Sequence, residues 1–325
     1  MAEKIDKTEK FKSKIGGQAL VEGVMMKGVT TGAMACRLPN GTIDLETWEL
    51  KGGKKPWYKT VPFIRGCFNF VDSLISGIRC TIKSAQKQIT DDDEEEEEEE
   101  EMSRLEMWLN SKLEGEHGKE IADTIMVVVC VVVMIVCVCA FKFFPALISS
   151  PLVKLGAPNW CITLVEGVIK LALLVGYMWI ISKSKDMNIT FKYHGAEHKT
   201  IACYEAGLEL KVENVRQMSR FHPRCGTSFI LIVVIISVIV GMFLPWSNVW
   251  LRFGLQLLLL PVESAVAYEV IRIAGRIDNP LTRAISAPGM WLQHITTCEP
   301  DDSQIEVAIE ALKPCIPENR EDDIW

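Results

Sequence analysis

Apolar positions in this chain gather into four long runs separated by polar and charged stretches. Thr124 to Phe141 carries no charge over a length sufficient to cross a bilayer, and Thr227 to Trp246 is likewise uncharged. Trp160 to Ile181 is interrupted only by Glu166 and Lys170, and Phe253 to Ile271 only by Gln256, Glu263 and Glu269. The pattern predicts a mainly α membrane protein with four transmembrane helices.

Between the runs the periodicity changes. From Pro62 to Gln88, residues such as Phe63, Cys67, Val71, Leu74 and Ile78 follow helical spacing, with Arg65, Asp72, Arg79 and Gln86 on the opposite face. That is an amphipathic helix, lying on the membrane or packed on the bundle. Met102 to Leu113 reads as a second, shorter amphipathic segment with Trp108 suited to the interface. Ala33 to Leu50 holds Asn40-Gly41, a type I′ turn signal between strand-like residues, which predicts a β-hairpin in a small cytosolic module. Upstream, GGQALVEGVMMKG lacks any phosphate-loop spacing and reads better as a structural turn. Near the carboxyl end a soluble helix is expected, capped by Ser303 with Glu306 closing the capping box and Pro314 stopping it. The expected organisation is a β-hairpin module (1–60), an amphipathic helix (61–90), an acidic linker (91–101), an interfacial helix with two spans (102–182), a cytosolic loop (183–226), two further spans (227–274) and a cytosolic carboxyl segment (275–325).

Charge fixes the orientation. The formal net charge of −7 owes everything to the block from Asp91 to Glu101; the rest is slightly basic and supports no acidic-protein reading. Lys183, Lys185, Lys192, Lys199, Lys211, Arg216, Arg220 and Arg224 crowd the loop after the second run, whereas Phe144 to Asn159 holds only Lys154. The positive-inside rule then puts both termini and this loop in the cytosol, with a multi-pass chain in the membrane. The basic amino-terminal stretch is followed by GGQALVEG and not by an apolar segment, so no signal peptide is expected. The cysteines fall in apolar runs or in cytosolic segments and are expected to be reduced thiols. The lipid bilayer is the one partner implied; no nucleic-acid module is present.

The loop after the second run carries the candidate chemistry. In YHGAEHKTI, a helix over residues 193–206, stopped by Gly207, places His194 and His198 one turn apart on a single face, with Glu197 beside them. H-x-x-E-H is the inverted zincin order, in which the histidines hold zinc and the glutamate acts as general base on water. A third ligand is required, and His222 and Cys225 in FHPRCGTSF have a suitable spacing. The alternative is that His222 caps the third run, or binds lipid phosphate with Arg220 and Arg224, while Cys225 is a small buried residue. Glu205 lies on the same helical face but roughly 10 Å along the axis from His198, too far to share an ion. Glu166 can pair with Lys170 and Glu269 with Arg272, whereas Glu263 has no local partner.

These motifs resemble the YqhQ-like bacterial membrane proteins, a family of unassigned function described as predicted metal-dependent enzymes. The resemblance rests on GGQALVEGVMM, VPFIRG, YHGAEHKTI, RFHPRCGTSF, YEVIRIAGR, and APGMWLQ followed by EPDDSQIEVAI, and it covers most of the chain. It implies a multi-pass protein with a cytosolic His/Glu/Cys site and supplies no substrate. Three functions are expected in descending order. The first is a hydrolase using a divalent transition metal, zinc by preference, in which His194 and His198 ligate, His222 or Cys225 completes the shell and Glu197 is the general base; a closed shell of all four would favour the next reading. The second is a membrane scaffold or assembly factor in which the metal is structural. The third is a small transporter using Glu166 and Glu263 as a polar path.

Overall fold

The computed structural model describes residues 11–50, 56–89, 116–277 and 279–323; the acidic block and the segment from Met102 to Leu113 lie outside them. Four strands, β1 (Gly16–Leu20), β2 (Gly23–Lys27), β3 (Thr31–Arg37) and β4 (Ile43–Glu49), form an antiparallel sheet in the order β1-β2-β3-β4. The expected hairpin is therefore the second half of a larger meander, and GGQALVEGVMMKG supplies the other two strands. The β3–β4 turn is not type I′. Gly41 alone has a positive φ (84°), its N–H donates to the Leu38 carbonyl at 2.9 Å, and the Leu38 N–H donates to the Thr42 carbonyl at 2.9 Å. Pro39, at the second turn position, favours a type I turn closed by a left-handed glycine.

Ten helices follow among the described residues: α1 (Ile64–Gln86), α2 (Glu116–Ser149), α3 (Pro151–Lys154), α4 (Asn159–Ile181), α5 (Lys185–Glu205), α6 (Val212–Arg216), α7 (Gly226–Gly241), α8 (Val249–Arg276), α9 (Pro280–Thr296) and α10 (Asp302–Leu312). Two stretches, Val127–Lys154 and Asn159–Ile181, are long and apolar enough to cross a membrane. The other two runs form α7, which is apolar but only 16 residues long, and α8, which carries Arg252, Glu263, Glu269 and Arg272. Of the carboxyl segment expected to hold one helix, a second part folds as the amphipathic α9. Asp301, not Ser303, caps α10, and Gln304 closes its capping box. Ser303 instead donates to Asp301 at 2.6 Å.

The sheet is covered on both faces. On one, Val24, Met26, Ala33 and Ala35 share a buried core with Tyr193, Ala196 and Ile201 of α5 and with Ile305, Ala308 and Leu312 of α10. On the other, Leu20, Met25, Met34 and Cys36 pack against Trp48 and Cys80 of α1. Small residues bring α1 close: a Cβ on Gly77 would lie 2.3 Å from Gln18 Oε1, and one on Gly66 would lie 3.0 Å from Ala265 Cα in α8. Its large apolar residues, Phe63, Phe68 and Val71, stay exposed.

Within the bundle, charged side chains are buried in pairs. Glu166 meets Lys170 at 2.6 Å, as spacing suggests, but also Arg252 at 2.6 Å and Gln256 at 2.6 Å. Glu263 pairs with Lys142 at 2.5 Å, and Glu269 pairs with Arg65 of α1 at 2.6 Å in place of the expected Arg272. Both partners come from elements remote in sequence, beyond the reach of i,i+4 reasoning. All eleven cysteines are free.

Candidate metal centre

The helix expected to begin near Tyr193 starts at Lys185, because Ser184 takes the extended N-cap conformation and Asp186 favours the first turn. It ends at Glu205, where Gly207 adopts φ 70°. Over this length α5 runs beneath the sheet and α10, with residues 195–201 buried. His194 and His198 project away from that core, their ring centroids 4.4 Å apart. Cys225 reaches them as the N-cap of α7, where its sulfur accepts from the Thr227 N–H at 3.5 Å.

His194, His198 and Cys225 each offer a donor atom, all within 4.8 Å of one another. Backbone carbonyls orient both rings. His194 Nδ1 donates to the Thr296 carbonyl at 2.8 Å and His198 Nδ1 to the Arg220 carbonyl at 2.6 Å. In the neutral ring, each hydrogen bond fixes the tautomer that leaves Nε2 as the electron-pair donor. His194 Nε2 lies 3.1 Å from the Cys225 sulfur.

His222 does not join the three. It is buried, but its Nε2 lies 3.7 Å from Glu205 and 3.3 Å from Arg224, and its ring centroid is 5.5 Å from that of His198. Its backbone N–H and carbonyl are held by the Gln293 side chain, each at 2.8 Å. Glu205 is likewise outside the donor cluster, and its role is mechanical. It accepts from the Ser13 N–H at 2.7 Å and pairs with Arg224, tying the amino-terminal segment and the FHPRCG loop to α5.

Glu197 is 5% exposed, and its Oε2 has no hydrogen-bond partner. The carboxylate lies against Gly17 of β1. Gly17 must be glycine for this approach: a Cβ there would lie 2.9 Å from Glu197 Cδ and 2.8 Å from the Met25 carbonyl. Burial raises the Glu197 carboxyl above its usual range against the pull of His194 and His198. Burial also disfavours the His194 imidazolium and the Cys225 thiolate, but their mutual attraction wins. It lifts His194 to about 9 and holds Cys225 well below a normal thiol.

The two carbonyl partners and the close approach of the Gly17 backbone are invisible to motif reading, since backbone groups leave no residue-type signature. Their neighbourhoods did stand out, as GGQALVEG and as the APGMWLQ stretch that leads to Thr296.

A family described as Protein of unknown function (DUF1385) matches residues 61–318. The uncharacterized protein YqhQ of Bacillus subtilis (strain 168) is 34% identical over 302 residues, covering 91% of this chain and 90% of the relative. The chain belongs to this family of unknown function. No solved structure matches it.

Proposed function

We propose that the protein is a multi-pass membrane hydrolase dependent on a divalent transition metal, with its centre at the cytosolic face. In this reading α2, α4, α7 and α8 span the bilayer, and both termini lie in the cytosol together with the sheet, α5 and α10. His194, His198 and Cys225 would hold the ion. Two imidazoles and a thiolate suit zinc, and three protein donors are one short of a closed tetrahedral shell. A zinc ion bound there would supply Lewis acidity toward a carbonyl or phosphoryl group.

The observation that carries the reading is the buried Glu197 carboxylate, which keeps one oxygen unpartnered next to three convergent donors. A structural carboxylate in such a place would be expected to have that oxygen hydrogen-bonded. Glu197 is instead placed to take a proton from water, its buried carboxyl raised above the usual carboxylate range. Cys225 and the histidines would serve only as ligands.

A structural metal in a scaffold is the second reading, supported by the nearness of His222, whose ring is 5.5 Å from that of His198. Turning that ring toward the cluster would close a four-ligand shell. The two are separated by Glu197→Gln, tested for metal content and for complementation of a deletion strain. A hydrolase should keep the metal and lose complementation. Full complementation would move the assignment to the scaffold.

A further inference from the structure

We propose that the centre takes its substrate sideways from the inner leaflet of the membrane, and that this substrate is an amphiphile whose anionic head group meets Arg220. The inference rests on the membrane reading above and names the substrate class for the same site.

The first support is which side of α5 the donors occupy. Tyr193, Ala196 and Ile201 are sealed beneath the sheet and α10, and β1 closes over Glu197 through Gly17. The water-facing side of the helix is therefore roofed. His194 faces Cys225 at the start of the apolar α7 and Thr296 at the end of α9, and His198 faces the Arg220 carbonyl in the loop that leads into α7. The ligand atoms thus lie between α5 and the end of the bundle, at the level where an apolar helix begins.

The second support is a pair of amphipathic helices with exposed apolar faces. α9 packs tightly on α7, where a Cβ on Gly289 would lie 2.3 Å from Ser228 Oγ. Its other side leaves Leu281 68% and Trp291 59% exposed. α1, which crosses α8 at Gly66, exposes Phe63 and Phe68 in the same way. Both faces continue the apolar surface of the spans, and a half-exposed tryptophan on such a helix suits the head-group layer. Lipid is accordingly the occupant of these faces.

The third support is the rim. The Arg220 carbonyl orients His198, and its guanidinium carbon lies 5.2 Å from the Phe221 ring centroid. Phe221 in turn stacks on the exposed His294 at 4.4 Å. A guanidinium set on an aromatic ring, in the residue whose carbonyl holds His198, can form paired hydrogen bonds to a phosphate or carboxylate head group.

The experiment uses the full chain in lipid nanodiscs, stripped of metal by a chelator and treated with either a neutral long-chain alkyl maleimide or a sulfonated, charged one. Labelling is read per cysteine by mass spectrometry. Cys137, exposed on α2, reports lipid access, and the partly exposed Cys298 reports access from water. Cys225 should follow Cys137 in its preference for the alkyl reagent. If it follows Cys298, or reacts with neither reagent, the lateral route is wrong. With the alkyl reagent, phosphatidylglycerol discs should slow Cys225 severalfold relative to phosphatidylcholine discs, and Arg220→Ala should remove the difference. Equal rates in both discs would overturn the head-group assignment. Equal protection by inorganic phosphate would point to a soluble anion and overturn the amphiphile. Metal content of untreated protein is measured separately, so lipid-like labelling of a chain that binds no metal would sink the metal reading and leave this one standing.

Discussion

Gly17 and Glu197 are matched across the join between the sheet and the histidine helix: a Cβ at position 17 would come within 2.9 Å of Glu197 Cδ. Gly17→Ala should therefore displace the carboxylate and cost about 1–3 kcal/mol of stability through overpacking. Metal content should be kept, because none of the three donors touches Gly17, while complementation of a deletion strain should fall to the level of Glu197→Gln. A Gly17→Ala variant that complements fully would show that the close approach of β1 does not position the carboxylate.

The donor set gives a second expectation. His194→Ala, His198→Ala and Cys225→Ala should each abolish binding of about one equivalent of divalent metal, measured by elemental analysis of purified protein. His222→Ala should retain it, since the His222 Nε2 faces Glu205 and Arg224. Loss of metal in the His222 variant would favour the closed, structural shell.

Glu205 is too distant to ligate, yet its removal should not be silent. It neutralises Arg224, whose side chain is 8% exposed, and it anchors the Ser13 amide at 2.7 Å. Removing one partner of a buried pair leaves the other uncompensated, at about 3–5 kcal/mol. Glu205→Ala should lower the thermal midpoint and weaken metal binding by loosening the loop that carries Cys225. Glu205→Gln, which keeps an acceptor for Ser13, should fall between. Unchanged metal affinity in Glu205→Ala would show that Cys225 is held by α7 alone.

How much of this was legible in the sequence follows from the range of each interaction. His194, Glu197 and His198 lie within one turn, and helical geometry alone puts them together. Cys225 was a candidate only through its spacing from His222, and it is Cys225 rather than His222 that meets the histidines, because it caps a helix while His222 is drawn to Glu205. The sheet was half visible. Asn40-Gly41 marked one hairpin, but β1 and β2 join through Val21 and Glu22, and Glu22 takes a positive φ of 48° that its residue type does not advertise. Partners of the buried charges were legible only when four residues away, as with Glu166 and Lys170; Arg252, Lys142 and Arg65 come from other helices.

The last expectation concerns Glu263, the carboxylate that a transporter would use. It is 1% exposed and pairs with Lys142 at 2.5 Å. Lys170, Arg252 and Glu166 form the neighbouring buried group, so two carboxylates sit among three cations. Glu263→Gln would leave Lys142 buried without its counter-charge and should destabilise the protein by about 3–5 kcal/mol. Lys142→Met should cost less, since it removes one of the surplus cations. The double variant Lys142→Met/Glu263→Gln replaces the pair with neutral groups of similar size and should recover most of the loss, a coupling that a double-mutant cycle on thermal midpoints would measure. It should also complement a deletion strain, because in the hydrolase reading the pair only holds α2 against α8. A double variant that folds normally but fails to complement would mean that the carboxylate itself is needed, and would return the transporter to first place.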